Sequence, residues 1–147
     1  MSSKRRQARE WAIQMLVAAD LNPPGDKEAF IAGLWDLLAS LEDEDGGPVA
    51  AKGDLRKFAE KRVNGVLDQV EAIDETLKGL IDNWELYRLG TVERVVLRMG
   101  VWEIGNTDIP APVVINEAID LVNWFSGPRS RRLVNGVLDK YAKGRTG

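Results

Sequence analysis

The 147-residue chain contains no cysteine and no histidine. The first absence removes disulfides and thiolate metal sites. The second removes the commonest metal ligand, the usual general base at neutral pH and the Ser-His-Asp constellation. Lack of cysteine fits a reducing, cytoplasmic setting. No apolar run approaches membrane-spanning length. The basic start, Met1 to Glu10, leads into a segment carrying Glu10, Gln14 and Asp20 rather than an uninterrupted apolar stretch, so no secretory signal is expected. The length normally makes one domain, residues 1–147, with a core that needs no metal or disulfide. No catalytic residue, metal site or cofactor is expected.

Charge is present but unevenly placed. The net value is −3. Residues 1–10 hold four cations, Lys4, Arg5, Arg6 and Arg9, against Glu10. Residues 126–147 hold six, Arg129, Arg131, Arg132, Lys140, Lys143 and Arg145, against Asp139, which leaves the middle strongly acidic. Affinity for nucleic acid depends on the charge that faces phosphate, not on the total. Two readings follow: the basic ends are solvated surface, or they meet in space as one positive patch.

Helical periodicity runs through most of the chain. Ala8, Trp11, Ala12, Met15, Leu16 and Ala19 repeat at helical spacing over residues 4–19, with Ser2 or Ser3 as cap and Asn22-Pro23-Pro24-Gly25 as stop. Asp26 is placed to cap a second helix whose inward stripe reads Phe30, Leu34, Leu37, Leu38 and Leu41. Residues 42–53 read as an acidic loop. Asp54 would cap a third helix with Leu55, Phe58, Ala59, Val63, Val66, Leu67 and Val70 on its core face. A fourth carries Ile73, Leu77, Leu80, Ile81 and Trp84. Thr91 would cap a fifth, Val92 to Ile104, that is apolar on most sides and so belongs in the middle of the fold. A sixth carries Val114, Ile115, Ala118, Ile119, Val122 and Phe125. Ser126-Gly127-Pro128 breaks it, and a last helix runs from about Ser130 to Ala142 with Leu133, Val137, Leu138 and Tyr141 inward. No sustained period-two alternation calls for a sheet.

Val63-Asn64-Gly65-Val66-Leu67-Asp68 recurs as Val134-Asn135-Gly136-Val137-Leu138-Asp139. Each copy sits in a helical pattern, where glycine costs about 1 kcal/mol against alanine, so a close packing contact is expected. Other motifs are weak. Residues 47–53 lack the Gly-Lys-Ser/Thr end of a phosphate loop. Residues 42–45 lack the ligand spacing of a calcium loop. The tryptophans lie on or near core stripes. Trp11, beside the arginine cluster, reads either as core or as a base-stacking platform.

One ordered set of segments goes further. It comprises Arg5-Arg6-Gln7-Ala8-Arg9-Glu10, Ile73-Asp74, Leu80-Ile81, Trp84, Arg88-Leu89, Leu97-Arg98, Trp102-Glu103-Ile104, Ile115-Asn116-Glu117-Ala118 and Val134-Asn135-Gly136-Val137-Leu138-Asp139. In this order, over residues 4 to about 142, it resembles the NusB family of transcription antitermination factors. The resemblance implies an all-α fold of about seven helices in two roughly perpendicular bundles, monomeric or homodimeric. It implies binding of boxA-type RNA in nascent ribosomal RNA transcripts, jointly with the ribosomal protein NusE, within an antitermination complex on RNA polymerase.

Carried over by position, the resemblance implies RNA contacts from Lys4, Arg5, Arg6 and Arg9 on the first helix and from Arg129, Arg131 and Arg132 at the start of the last. It implies a NusE-facing surface around Glu93 and Val17. Glu93 has a second reading, as a solvated acid favoured by the helix dipole. Arg98 and Glu103 read as structural, since a charge on a largely buried helix needs a partner. The chain departs from the family pattern at Leu133, where phenylalanine is usual, at Pro128 and Arg129, where the loop is often acidic, and at Val17, which replaces an aromatic residue. The remaining readings are a NusB-like adaptor without RNA affinity, a small helical enzyme, and a relative of the N-terminal module of rRNA cytosine methyltransferases. For the last, the chain is expected to stop before a nucleotide-binding sheet begins.

Overall fold

Helix-forming stretches separated by Pro/Gly punctuation set the element order. The computed structural model describes residues 4–40, 53–82, 85 and 88–146. Its helices are α1 (Lys4–Leu21), α2 (Lys27–Ser40), α3 (Gly53–Asp68), α4 (Val70–Leu80), α5 (Thr91–Asn106), α6 (Ala111–Ser126) and α7 (Pro128–Thr146). Among the described residues there are seven helices and no strand, which is the all-α class expected. The acidic stretch assigned to a loop lies outside the described residues apart from Gly53, the first residue of α3. Ser2, Ser3, Leu41 and Trp84 lie outside them too. The chain divides into two compact units, Met1–Asn64 and Gly65–Gly147.

In the first unit, α1 buries Ala8, Trp11, Ala12, Met15, Leu16 and Ala19, together with Arg9 and Ile13. Trp11 meets Trp35 of α2 edge to face, with ring centroids 5.6 Å apart and planes at 81°. That geometry adds roughly 0.5–1.5 kcal/mol beyond burial and makes Trp11 a core residue. The inward face of α2 differs from the expected stripe. Ile31 and Trp35 are buried, Phe30, Leu34 and Leu38 are partly covered, and Leu37 is 54% exposed. Asp26 caps α2 as expected, accepting the Ala29 N–H at 3.1 Å. Asp54 does not cap α3. It lies inside the first turn, where its charge favours the helix dipole.

In the second unit, α3 ends at Asp68 and α4 begins at Val70, so Val70 opens a helix instead of closing one. Gln69 separates them with φ −113° and ψ 14°. Helix α5 packs against α4, α6 and α7. Every residue from Val95 to Glu103 except Arg98 is buried, as a central helix requires. Its N-cap is Gly90; Thr91 is already helical and makes no capping bond. Arg98 has the partner its position demands. Its Nε and Nη2 donate to Oδ1 and Oδ2 of Asp74 on α4, both at 2.8 Å. Gly127 joins α6 to α7 with φ 84° and ψ −170°, a conformation nearly confined to glycine. Pro128 follows as the first residue of α7, where its missing N–H costs nothing.

Candidate functional site

Helix α1 opens with Lys4, Arg5 and Arg6 and has no acid in its first turn. Helix α7 opens with Pro128, Arg129, Ser130 and Arg131, again with no acid. Both charge placements oppose the positive end of the helix dipole, which disfavours a nearby cation by roughly 0.3–1 kcal/mol. Helices α2 to α5 follow the ordinary rule, with Glu28, Asp54, Glu71 and Glu93 in their first turns. The two cationic starts therefore carry a stability cost that an external anion would relieve.

In the first unit, Lys4 and Arg5 are exposed and Arg6 is half-buried. Arg9 is not on the surface: only 3% of it is exposed. Its guanidinium lies 5.2 Å from the centroid of Phe58 on α3. Arg5 stacks on the same ring at 5.7 Å and Arg62 at 3.4 Å. Phe58, expected in the core, is instead a platform shared by three arginines. Arg9 thus departs from its expected role as a surface ligand for phosphate, because its register on α1 matches that of Ala12, Ile13 and Leu16. Arg62 is buried to the same extent and donates from Nη1 to the Phe58 carbonyl at 3.3 Å. Burial pushes the Glu10 carboxyl above the ordinary glutamate range, and the neighbouring Arg6 charge opposes that rise.

Next to this group, Trp35 Nε1 donates to Glu60 Oε1 at 2.6 Å and Arg56 lies 4.7 Å from the Trp35 centroid. Val17 is half-buried on α1.

In the second unit, a cleft of about 620 Å³ is lined by Glu85, Arg88, Leu89, Glu93, Arg129, Ser130, Arg132 and Leu133. It brings together Glu93, expected to face a protein partner, and Arg129 and Arg132, expected to face RNA. Arg131 is exposed and lies outside that lining. The cleft holds cations and carboxylates on an apolar floor of Leu89 and Leu133. Such a mixture suits a ligand that presents both charge and a flat apolar face. Among the described residues no three acidic side chains cluster as a metal site would require, and no helix is long and apolar enough to cross a membrane.

The model of the NusB family matches residues 6–143. The chain belongs to the NusB family. It is 38% identical to the transcription antitermination protein NusB of Anaeromyxobacter dehalogenans over 144 residues, covering 98% of this chain and 94% of that one. It is 33% identical to NusB of Campylobacter jejuni over 139 residues, with 95% and 96% covered. Among solved structures it resembles T. maritima NusB, with a TM-score of 0.75, 27% identity, and 97% and 93% of the two chains covered. It also resembles a chain of the antitermination factors NusB and NusE in complex with double-stranded RNA, with a TM-score of 0.77, 27% identity, and 98% and 99% covered.

Within this NusB fold, sequence reasoning missed Glu85 in the cleft and the α3 group of Arg56, Phe58 and Arg62. Arg56, Lys57, Lys61 and Arg62 stand against Asp54 and Glu60 within residues 53–64, a basic island inside an acidic middle. A short sliding charge window would have found it.

Proposed function

We propose that this chain is a transcription antitermination factor that binds boxA-type RNA of nascent ribosomal RNA transcripts jointly with NusE, in the cytoplasm, as part of the RNA polymerase antitermination complex. It performs no catalysis. The observation that carries the reading is the cationic first turn of α1 and of α7, where the dipole disfavours cations. Family membership supports it, as does the likeness to a NusB chain solved with NusE and RNA.

Lys4, Arg5 and Arg6 of the first unit supply phosphate contacts, and so do Arg129, Arg131 and Arg132 of the second. Arg9 contributes from beneath, by holding Phe58 and the helix start in place. Leu89 and Leu133 offer an apolar face to an unstacked base, and Arg129 and Arg132 flank it. Glu93 and Val17 face NusE.

The test is a filter-binding titration with boxA-like RNA, with and without NusE. Lys4→Ala/Arg5→Ala lowers affinity with little change in melting temperature, because relief of the dipole cost and loss of the Arg5–Phe58 stacking oppose one another. Arg9→Ala lowers the melting temperature as well. NusE binding with no RNA affinity at any salt concentration would reject the reading in favour of a pure protein adaptor.

A further inference from the structure

Helix α3 presents four faces. Ala59, Val63 and Val66 are buried. Arg56 and Glu60 turn to Trp35. Phe58 and Arg62 turn to α1, where Arg5 and Arg9 stack on the ring. The remaining edge carries Lys57 and Lys61, both exposed and one helical turn apart, with exposed Asp54 one turn before Lys57 and exposed Asp68 two turns beyond Lys61. This edge lies opposite the buried stripe and adjoins the Phe58 face. The ring that anchors Arg5 therefore sets the start of α1 alongside a pair of lysines on α3.

We propose that the Lys57–Lys61 edge of α3 is a second bank of the RNA-binding surface of residues 1–64, facing the phosphate backbone beside Lys4 and Arg5, with Phe58 as the link that fixes Arg5 between the two helices. The inference rests on the RNA-binding reading above and extends it to a helix outside the terminal clusters. The chemistry favours a polyanion. Two lysines at i and i+4 repel one another by a few tenths of a kcal/mol on an isolated helix; Asp54 offsets that cost at Lys57, and a phosphate beside Lys61 removes the rest. Glu60, the nearest acid in sequence, is engaged by the Trp35 indole on another face. The aromatic platform restricts Arg5, so less conformational entropy is lost when it meets a phosphate.

The experiment is a salt titration of single-stranded boxA-type RNA binding by the full chain and by Lys57→Gln/Lys61→Gln, with Lys57→Arg/Lys61→Arg as charge-retaining control. Lys78→Gln, exposed on α4, controls for net charge. The double glutamine variant is expected to lower affinity roughly tenfold at 0.1 M salt and to reduce the slope of log K against log salt by about 1.4, as two lost single-strand phosphate contacts require. The arginine variant retains the wild-type slope, and Lys78→Gln does not change it. Both lysines face solvent, so the melting temperature of each variant stays within about 1 °C of wild type, consistent with exposed substitutions.

If wild type binds RNA and Lys4→Gln/Arg5→Gln weakens it while the α3 double variant titrates like wild type, this inference is overturned and the RNA-binding reading stands. If wild type binds no RNA, both fall. An equal loss in the arginine variant would likewise overturn the charge-based account.

Discussion

The backbone of Gly65 lies against the indole of Trp102, and a Cβ at that position would collide with the ring. Gly136, its counterpart in the repeated six-residue segment, has nothing within 4 Å of the place a Cβ would occupy. The two copies share a sequence but not an environment. At residue 65 the glycine is a packing requirement on α3; at residue 136 it is a propensity cost on α7 with no packing return.

Opposite responses to alanine follow. Gly65→Ala gains about 1 kcal/mol of helix propensity but forces the bulky Trp102 aside, which costs roughly 1–3 kcal/mol, so the variant melts lower. Gly136→Ala keeps the propensity gain, up to about 1 kcal/mol, and melts higher. Thermal melts followed by circular dichroism decide this. Shifts of the same sign for both variants would mean that the repeat has one structural role after all.

The Arg98–Asp74 pair makes a second prediction. The guanidinium is only 13% exposed and the carboxylate 36%, and two parallel hydrogen bonds tie α5 to α4. Arg98→Ala leaves Asp74 half-covered without its donor and costs about 1–2 kcal/mol, the scale of a hydrogen bond to a charged group. In a double-mutant cycle with Asp74→Ala, the two single losses should not add. Independent losses would show that the pair does not couple.

Legibility in the sequence varies along the chain. Helices α1 and α5 could be read because one periodic stripe dominates each, and α5 lacks enough polar positions to be anything but central. Helix α2 was misread because Phe30, Leu34, Leu37 and Leu38 contain overlapping helical sets. The choice among them depends on Trp35 packing on Trp11, a contact 24 positions apart along the sequence. Arg9 enters the RNA-binding set through the family resemblance, whereas its register with Ala12, Ile13 and Leu16 places it on the buried face. The α3 cations were hidden by summing charge over the termini. Lys4, Arg5, Arg129, Arg131 and Arg132 could be read as surface charge because they stand off the apolar stripes, whereas the cleft that joins Glu93 to Arg129 and Arg132 depends on tertiary packing that no local pattern carries.

Glu10 supplies a pH prediction. Burial holds its native pKa above the ordinary glutamate value, so the folded state binds the proton more tightly than the unfolded chain. Stability from this group therefore rises as pH falls from neutral through the raised native value to the ordinary one, and is at its lower level above that window. Glu10→Gln removes this dependence and melts higher than wild type at pH 7, by a small margin because the side chain is partly solvated. It also removes a negative charge beside Arg6, so RNA binding at pH 7 tightens. A melting difference that is the same at pH 4 and pH 7 would exclude the burial effect.

The cleft of the second unit separates two contributions that one ligand would use together. Arg129 and Arg132 carry charge, whereas Leu133 carries apolar area. Arg132→Gln should weaken RNA binding for all sequences alike and lower the salt slope by about 0.7, one single-strand phosphate contact. Leu133→Ala should leave the slope unchanged and reduce discrimination between RNAs, since a stacked base is worth about 1–3 kcal/mol and its partner is lost. Glu93→Gln should act on a third axis. It alters NusE affinity in a pull-down or calorimetric titration and leaves the RNA salt slope as in wild type, because a carboxylate makes no counterion-releasing contact. A single common effect of all three substitutions, with lowered melting temperatures, would reduce the cleft to a structural seam. Three distinct signatures would assign phosphate, base and protein recognition to neighbouring residues at the start of α5 and α7.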